Sequence, residues 1–354
     1  MESSLQSYKK SKFHGADYIV FLAVFLVLLP VLNLCGVIET GTLTLWGRYC
    51  CFAIAAIGID LIWGYTGIMT MCHAFFFCLG AYGLGMYLTI NNLQAWQTVP
   101  DFMSWNGYES LPTFWLPFQT FGGAVICGLF VTGVFAFLVS YFIFRRRIKG
   151  VFFAIITQAL ALAMFLLFSR NETLLGGSNG LTHFRYILGF DMYSQNVKLG
   201  IYIITILMLA VIFLLARRLT KSKFGKVLVG IRDSESRLRF AGYKVVGYQT
   251  AIFVIGALIA AVAGMLYLPQ TGIVTPGRMN VQASIEMLIW VALGGRGNLK
   301  GAVVGALVVN AMYSIFTSVM PEAWQYVLGA LYIVTVLYLN NGLVGLFSRL
   351  KIKN

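Results

Sequence analysis

Six polar side chains lie within or beside long apolar stretches of the sequence and are the first candidates for chemistry. They are Asp60, His73, Gln158, Glu286, Arg296 and Asn310. Burying an ionisable or amide side chain at membrane depth is costly, so such a side chain should face the interior of a helix bundle or a water-filled path. We therefore predict these residues as candidates for a solute pathway or gate. The alternative for Asp60 is headgroup water at the inner end of its helix, and for His73 a hydrogen-bonded place in the core. For Glu286 the alternative is the first turn of a helix, where the helix dipole favours a carboxylate.

The residue types that enzymes use do not occur in a working arrangement. No nucleophile and base share a helix face, and His14, His73 and His183 fall in separate segments without ligand spacing, except that Cys72 adjoins His73. We predict no catalytic residue and no metal site. The six cysteines form no C-x-x-C pair and are interpreted as small buried apolar residues. The pattern G-x-x-x-x-G-K-[ST] does not occur either, so coupling to ATP would require another chain.

The composition indicates an integral membrane protein. Of the 354 residues, 59% are hydrophobic and only 11% are charged, whereas soluble domains carry about 25% charge. A helix needs about 20 apolar residues to cross the bilayer, and the predicted fold is an all-α polytopic bundle of ten such segments. These are 17–36, 42–63, 68–90, 116–144, 150–168, 198–216, 249–268, 282–293, 301–319 and 323–347. The segment 282–293 is short, so we expect either a broken or a re-entrant helix there.

The basic residues are distributed as topology signals. With the N-terminus in the cytoplasm and ten crossings, 21 of the 26 Lys and Arg fall on the cytoplasmic side, as the positive-inside rule requires. The net charge of +14 is thereby explained without nucleic-acid binding. We predict cytoplasmic tails at 1–16 and 349–354, with the transmembrane domain at 17–348. The basic residues left outside are Arg48, Arg170, Arg185, Lys198 and Arg278.

The cytoplasmic loop 217–248 is the segment best suited to bind a partner. It carries nine basic residues against Asp233 and Glu235, and apolar residues recur in it at helical spacing, which predicts a short amphipathic helix. A helix lying on anionic lipid is the alternative. The mixed charges favour a protein groove. The predicted docking residues are Gly230, Ile231, Arg232, Asp233, Glu235, Arg237 and Gly242.

Small residues are spaced for close helix packing at two places. Gly256, Ala260 and Gly264 follow one another at four-residue intervals, and Gly301 and Gly305 repeat that interval. We interpret these stripes as packing surfaces rather than gates. No repeat with a period of 20 to 50 residues is apparent.

Several longer motifs resemble a known family over residues 45–347. The matching motifs include Trp63-Gly64-Tyr65-Thr66-Gly67-Ile68, Arg170-Asn171-Glu172, Ile231-Arg232-Asp233 and Ala263-Gly264. With these motifs the chain resembles the membrane subunits of ABC importers for branched-chain amino acids and urea. Four others look most like the urea-importer branch: Pro269-Gln270, Ser284-Ile285-Glu286, Gly294-Gly295-Arg296-Gly297 and Tyr326-Val327-Leu328-Gly329. One stretch departs from the family pattern, since Cys72-His73-Ala74-Phe75 replaces glycines with bulkier residues.

The resemblance implies a permease subunit in the bacterial cytoplasmic (inner) membrane. The implied partners are a homologous second permease, two cytoplasmic ATPase subunits that hold ATP and Mg, and a periplasmic or extracellular substrate-binding protein. This chain would bind no cofactor itself, and it would form half of the path for urea or a similar small polar solute. The alternatives are a branched-chain amino-acid permease of the same family and a proton-coupled secondary transporter with Asp60 or Glu286 as the proton carrier.

Overall fold

The computed structural model describes residues 24–94 and 96–320, together with the isolated positions 326, 327, 329, 330, 333 and 342. The described part is almost entirely helical. Its α-helices are α1 (Leu29–Leu34), α2 (Thr40–Thr66), α3 (His73–Asn91), α4 (Asp101–Ser104), α5 (Phe121–Arg145), α6 (Val151–Phe168), α7 (Gln195–Lys221), α8 (Lys223–Phe240), α9 (Val245–Thr271), α10 (Val281–Gly294) and α11 (Leu299–Val319). A π-helical turn, Val24–Leu28, leads into α1, and a small hairpin pairs Tyr186–Ile187 with Phe190–Asp191.

Seven of these helices are long and apolar enough to cross a membrane: α2, α3, α5, α6, α7, α9 and α11. The polytopic all-α fold is therefore confirmed. The helix α10 has 14 residues, about 21 Å at 1.5 Å per residue, and so falls short of the ~30 Å hydrocarbon core. The predicted segment 323–347 lies mostly outside the described residues, as does the beginning of 17–36. The number of ten crossings and the sidedness of the termini stay predictions.

The helices α2 and α9 form the centre of the bundle and run antiparallel. Gly47 lies against Gln270, whereas Gly58 lies against Gly256 near the middle of both helices. A Cβ atom at Gly58 would lie 2.8 Å from the Gly256 carbonyl oxygen, so the backbones touch at this crossing. Gly264 likewise lies against the backbone of Phe77 in α3. The predicted packing role of this glycine stripe is confirmed.

The two central helices end at the start of the same short motif. The last residue of α2 begins Thr66-Gly67-Ile68-Met69-Thr70, and the last residue of α9 begins Thr271-Gly272-Ile273-Val274-Thr275. Gly67 and Gly272 cap their helices in the left-handed conformation, with φ of +74° and +70°. Because α2 and α9 are antiparallel, the shared motif points to opposite ends of the bundle. An inverted-topology repeat predicts such a recurrence in opposite orientations.

After each of these caps the chain leaves the helical conformation before the next helix begins. The first break is 67–72, and the second is 272–280, which contains the 3₁₀ turn Pro276–Met279. The helices that follow the two breaks meet inside the bundle, since the Ala74 N–H at the start of α3 donates to Ser284 Oγ of α10 at 3.3 Å.

Two predicted boundaries are wrong for local reasons. The segment predicted as 68–90 begins its helix only at His73, because the Gly67 cap ends α2 and the apolar residues after it are not helical. The segment predicted as 116–144 begins its α-helix at Phe121, because a 3₁₀ stretch containing Pro117 precedes it.

Candidate docking and solute sites

The predicted amphipathic helix in the loop 217–248 is confirmed as α8. Ser222 caps it by accepting the Gly225 N–H, and non-helical dihedrals at Ser234 divide it into two parts. Leu228 and Ile231 are buried against the bundle. The opposite surface of the helix is open to solvent in the described chain.

Arg232 connects α8 to the transmembrane core. Its guanidinium donates to the Gly64 carbonyl oxygen in the last turns of α2 at 2.9 Å, and also contacts the Asp233 carboxylate at 3.1 Å. The carbonyl groups at the C-terminal end of a helix carry partial negative charge, so a cation binds favourably there. Arg232 therefore holds α8 against the end of α2.

Asp60 joins the same end of α2 to the turn between α10 and α11. It is fully buried, and its Oδ1 accepts the Gly297 N–H at 2.7 Å, while Oδ2 has no hydrogen-bond partner among the described residues. Arg296 adds a cation–π contact, with its guanidinium carbon 5.1 Å from the centre of the Trp63 ring. The alternative that Asp60 reaches headgroup water is wrong, because the side chain has no exposed surface.

A second contact, made by Glu235, holds the C-terminal half of α8 against the bundle. Lys149, between α5 and α6, contacts Glu235 at 2.6 Å, and Arg239 contacts it at 2.6 Å from the next turn of α8. Burial of the Glu235 carboxylate opposes its ionisation, but the hydrogen bonds from Lys149 and Arg239 outweigh burial and lower the pKa of Glu235 below its usual value. The side chain is only 11% exposed, so Glu235 faces the bundle.

The predicted docking residues therefore divide into two groups. Ile231 and Glu235 face the bundle, and Gly230 packs against Leu238 within α8. The exposed members are Arg232, Asp233, Arg237 and Gly242. Phe240 was missed by the sequence analysis, although it is the large apolar residue at the end of a charged stretch. It is 93% exposed.

A polar cavity of about 60 Å³ lies at the opposite end of α2, between α2, α3, α9, α10 and α11. Charged residues from three elements line it: Arg48 of α2, Arg278 of the 3₁₀ turn, and Glu286 of α10. The Tyr49 hydroxyl is hydrogen-bonded to Ser314 at its edge, and Asn310 of α11 adds an amide. Glu286 and Asn310 are the two predicted pathway residues that the structure brings together.

The other predicted pathway residues lie apart from this cavity. Asp60 and Arg296 lie at the other end of α2, beside α8. His73 is buried beside Phe76 and Phe253, and neither of its ring nitrogens has a hydrogen-bond partner among the described residues, so the hydrogen-bonded core environment is not what the structure shows. Gln158 is exposed on the surface of α6. A pathway role for all of them stays a prediction.

Comparison with known proteins identifies the family of the chain. Residues 41–337 match the family described as branched-chain amino acid transport system / permease component. The high-affinity branched-chain amino acid transport system permease protein LivM of Escherichia coli is 21% identical, over 95% of this chain and 77% of its own length. BraD of Pseudomonas aeruginosa, a permease of the same description, is 23% identical over 83% and 91%. A probable branched-chain amino acid permease, LivM of Methanocaldococcus jannaschii, is 24% identical over 83% and 90%.

No solved structure gives a significant match. The family match covers most of the chain and agrees with the apolar helices of the fold. The chain therefore belongs to the permease-component family of branched-chain amino acid transport systems, as a multi-pass inner-membrane transport subunit and not an enzyme.

Proposed function

We propose that this chain is the membrane subunit of an ATP-driven importer of amino acids with apolar side chains. The observation that carries the proposal is the attachment of α8, because Arg232 of this exposed helix is hydrogen-bonded to the end of a central transmembrane helix. An external protein that moves α8 can thereby act on the transmembrane core. The solute class is supported by the names of several relatives, LivM and BraD among them, which are branched-chain amino acid permeases.

The exposed surface of α8 suits a cytoplasmic ATPase. Phe240 projects almost entirely into solvent, and an aromatic anchor surrounded by polar residues is typical of the energetic centre of a protein interface. Asp233 and Arg237 lie on the exposed surface of the same helix and offer both signs of charge. An anionic membrane surface would favour uniformly basic residues instead. We assign this surface to an ATPase subunit that holds ATP and Mg.

The contacts of α8 give a mechanical route to the other end of the bundle. Arg232 holds the end of α2, and Asp60 ties α2 to Gly297, between α10 and α11. The same three helices carry Arg48, Glu286 and Asn310 at the distant cavity. A displacement of α8 would thus be transmitted through packed helices to the cavity. A second permease, a second ATPase and a substrate-binding protein complete the proposed assembly.

The experiment is uptake into proteoliposomes that contain the complete transporter, with labelled leucine and labelled urea supplied in parallel. We expect leucine uptake that requires ATP on the ATPase side and that persists with a protonophore. Uptake that is abolished by the protonophore at constant ATP would refute ATP coupling and favour the proton-coupled alternative. Uptake of urea instead of leucine would refute the amino-acid part and restore the urea expectation.

The docking surface is tested by a single substitution with a matched control. Phe240→Ala should weaken binding of the ATPase to the permease about tenfold or more, as expected for the loss of an aromatic hot spot. Phe190→Ala removes a similarly exposed ring, 64% exposed, in the small hairpin, and should leave ATPase binding unchanged. Equal binding by both variants would place the ATPase elsewhere.

A further inference from the structure

The charged residues of the cavity are close together but not paired with one another. Arg278 and Glu286 are near enough to interact electrostatically. Even so, none of the ion pairs among the described residues joins Arg48, Arg278 or Glu286. The guanidinium of Arg278 lies 5.9 Å from the centre of the Tyr267 ring. The cavity therefore presents positive and negative groups that form no ion pair among the described residues, and the Glu286 carboxylate accepts a hydrogen bond from the Gln282 side chain.

An aromatic wall borders these charges. The Phe52 ring lies at the centre of this wall, with ring centroids 5.0 Å from Trp290, 5.3 Å from Tyr267 and 5.9 Å from Phe77. These four side chains come from α2, α3, α9 and α10 and line the same cavity. They offer an apolar surface directly beside the charged groups.

We propose that this cavity binds an amino acid as its zwitterion. Arg48 and Arg278 bind the carboxylate, Glu286 binds the ammonium group, and the aromatic wall contacts an apolar side chain. A neutral solute such as urea would supply no opposite charge to Arg48, Arg278 or Glu286, and burying charged groups without an ion-pair partner is costly. A zwitterion carries a carboxylate that can pair with the arginines and an ammonium group that can pair with Glu286. This inference rests on the proposed function, because it names how the transported solute is recognised.

The size of the cavity adds a conformational requirement. A volume of about 60 Å³ has room for only a few water molecules. Binding of an amino acid therefore requires the cavity to widen. Arg278 and Tyr313 are both exposed at this end, and Arg278 belongs to the non-helical break 272–280. Widening at this break leaves the helical hydrogen bonds of α9 and α10 intact.

The test is equilibrium binding of labelled leucine to the assembled transporter in nanodiscs, without the substrate-binding protein and without nucleotide. The competitors are leucinamide, which lacks the carboxylate, 4-methylpentanoate, which lacks the ammonium group, and urea. We expect both analogues to compete at least about tenfold more weakly than leucine. Urea should not compete.

The variants separate recognition from a general structural effect. Glu286→Gln should weaken leucine about tenfold and leave 4-methylpentanoate unchanged, because that analogue has no ammonium group. The double variant Arg48→Gln/Arg278→Gln should weaken leucine and leave leucinamide unchanged. Arg185→Gln/Asp191→Asn removes an exposed ion pair of 3.7 Å outside the cavity and serves as the matched control, for which leucine binding should be unaltered.

Three results would overturn the inference. They are the absence of saturable leucine binding, competition by urea, and cavity variants that weaken every ligand equally or none. Failure of the proposed function is a separate result, since ATP dependence is measured by uptake while this assay contains no nucleotide. ATP-driven leucine uptake with leucine binding that is indifferent to Glu286 would refute the cavity alone.

Discussion

Gly64 provides the sharpest test of the contact between α2 and the turn that follows α10. A Cβ atom at this position would overlap the Asp60 carboxylate and the Gly297 nitrogen, and would lie 2.8 Å from the Gly297 Cα atom. Because two of these three atoms are backbone, a rotamer change cannot relieve the overlap. Gly64→Ala should therefore push the turn away and break the hydrogen bond between Asp60 and Gly297.

The magnitude follows from three contributions. Loss of a hydrogen bond to a charged group costs about 1.5–3 kcal/mol, and overpacking costs about 1–3 kcal/mol. Replacing glycine by alanine inside a helix returns about 0.5–1 kcal/mol. The net expectation is a loss of about 2–5 kcal/mol in the free energy of unfolding, the sum of these contributions.

The assay is reversible unfolding of the purified chain in mixed micelles. Gly200→Ala is the matched control, because Gly200 lies inside α7 and a Cβ there would meet no atom within 4 Å. The control should be neutral or stabilised, whereas Gly64→Ala should be destabilised. In proteoliposomes, Gly64→Ala should also reduce leucine uptake more than ATP hydrolysis. A Gly64→Ala chain as stable as the control would show that the turn does not pack on α2 as described.

Three further predictions concern single positions. Glu235 has a folded pKa below its unfolded value. Its stabilisation of α8 is therefore present above the unfolded pKa of ~4.3 and is lost as the pH falls through the folded pKa. Hydrogen exchange in α8, corrected for intrinsic rates, should rise on acidification, and Glu235→Gln should remove that pH dependence. Asn280→Ala should lower the free energy of unfolding by about 1 kcal/mol, because the Asn280 side chain caps α10. Asn280→Asp should retain the cap, and unfolding experiments measure both variants. Gly272→Ala should lower the free energy of unfolding by about 1–2 kcal/mol, because of its left-handed backbone alone. Gly67→Ala should lower it further, because its Cβ would also lie 3.2 Å from Arg232 Cγ. Equal losses in the two variants would contradict that contact.

Hydropathy predicted the bundle because membrane-spanning helices need long apolar runs, but it could not find where those runs break. Ile68, Met69 and Met71 continue the apolar character beyond Gly67, so the sequence offers no polar signal at the end of α2. The left-handed glycine ends the helix there, and a single glycine in an apolar run is an ambiguous signal. The recurrence of Thr-Gly-Ile at Thr271 is the sequence feature that marks the break.

The sites were predicted only in part, because half of their groups are backbone atoms or come from distant segments. Asp60 was predicted as a pathway candidate with headgroup water as the alternative, but its partner is the N–H of Gly297, which no residue-type pattern indicates. Arg48 and Arg278 were interpreted only as basic residues left on the outer side. Folding brings them to one cavity with Glu286. The candidate docking residues on α8 were predicted from charge, whereas the structure was needed to show which of them face the bundle.

The matched endings of α2 and α9 bear on the energetics of transport. The shared motif gives opposite ends of the bundle a helix break of similar sequence. We expect that conformers open to opposite sides of the membrane differ little in free energy, because each can open at such a break. A ligand that converts a 1:99 ratio of two conformers to 99:1 must bind the favoured conformer about 5.5 kcal/mol more tightly than the other. Conformers that are closer in free energy need a smaller difference in binding. Nucleotide and solute would therefore act as biases on a nearly balanced equilibrium, with Gly67 and Gly272 as its two pivots.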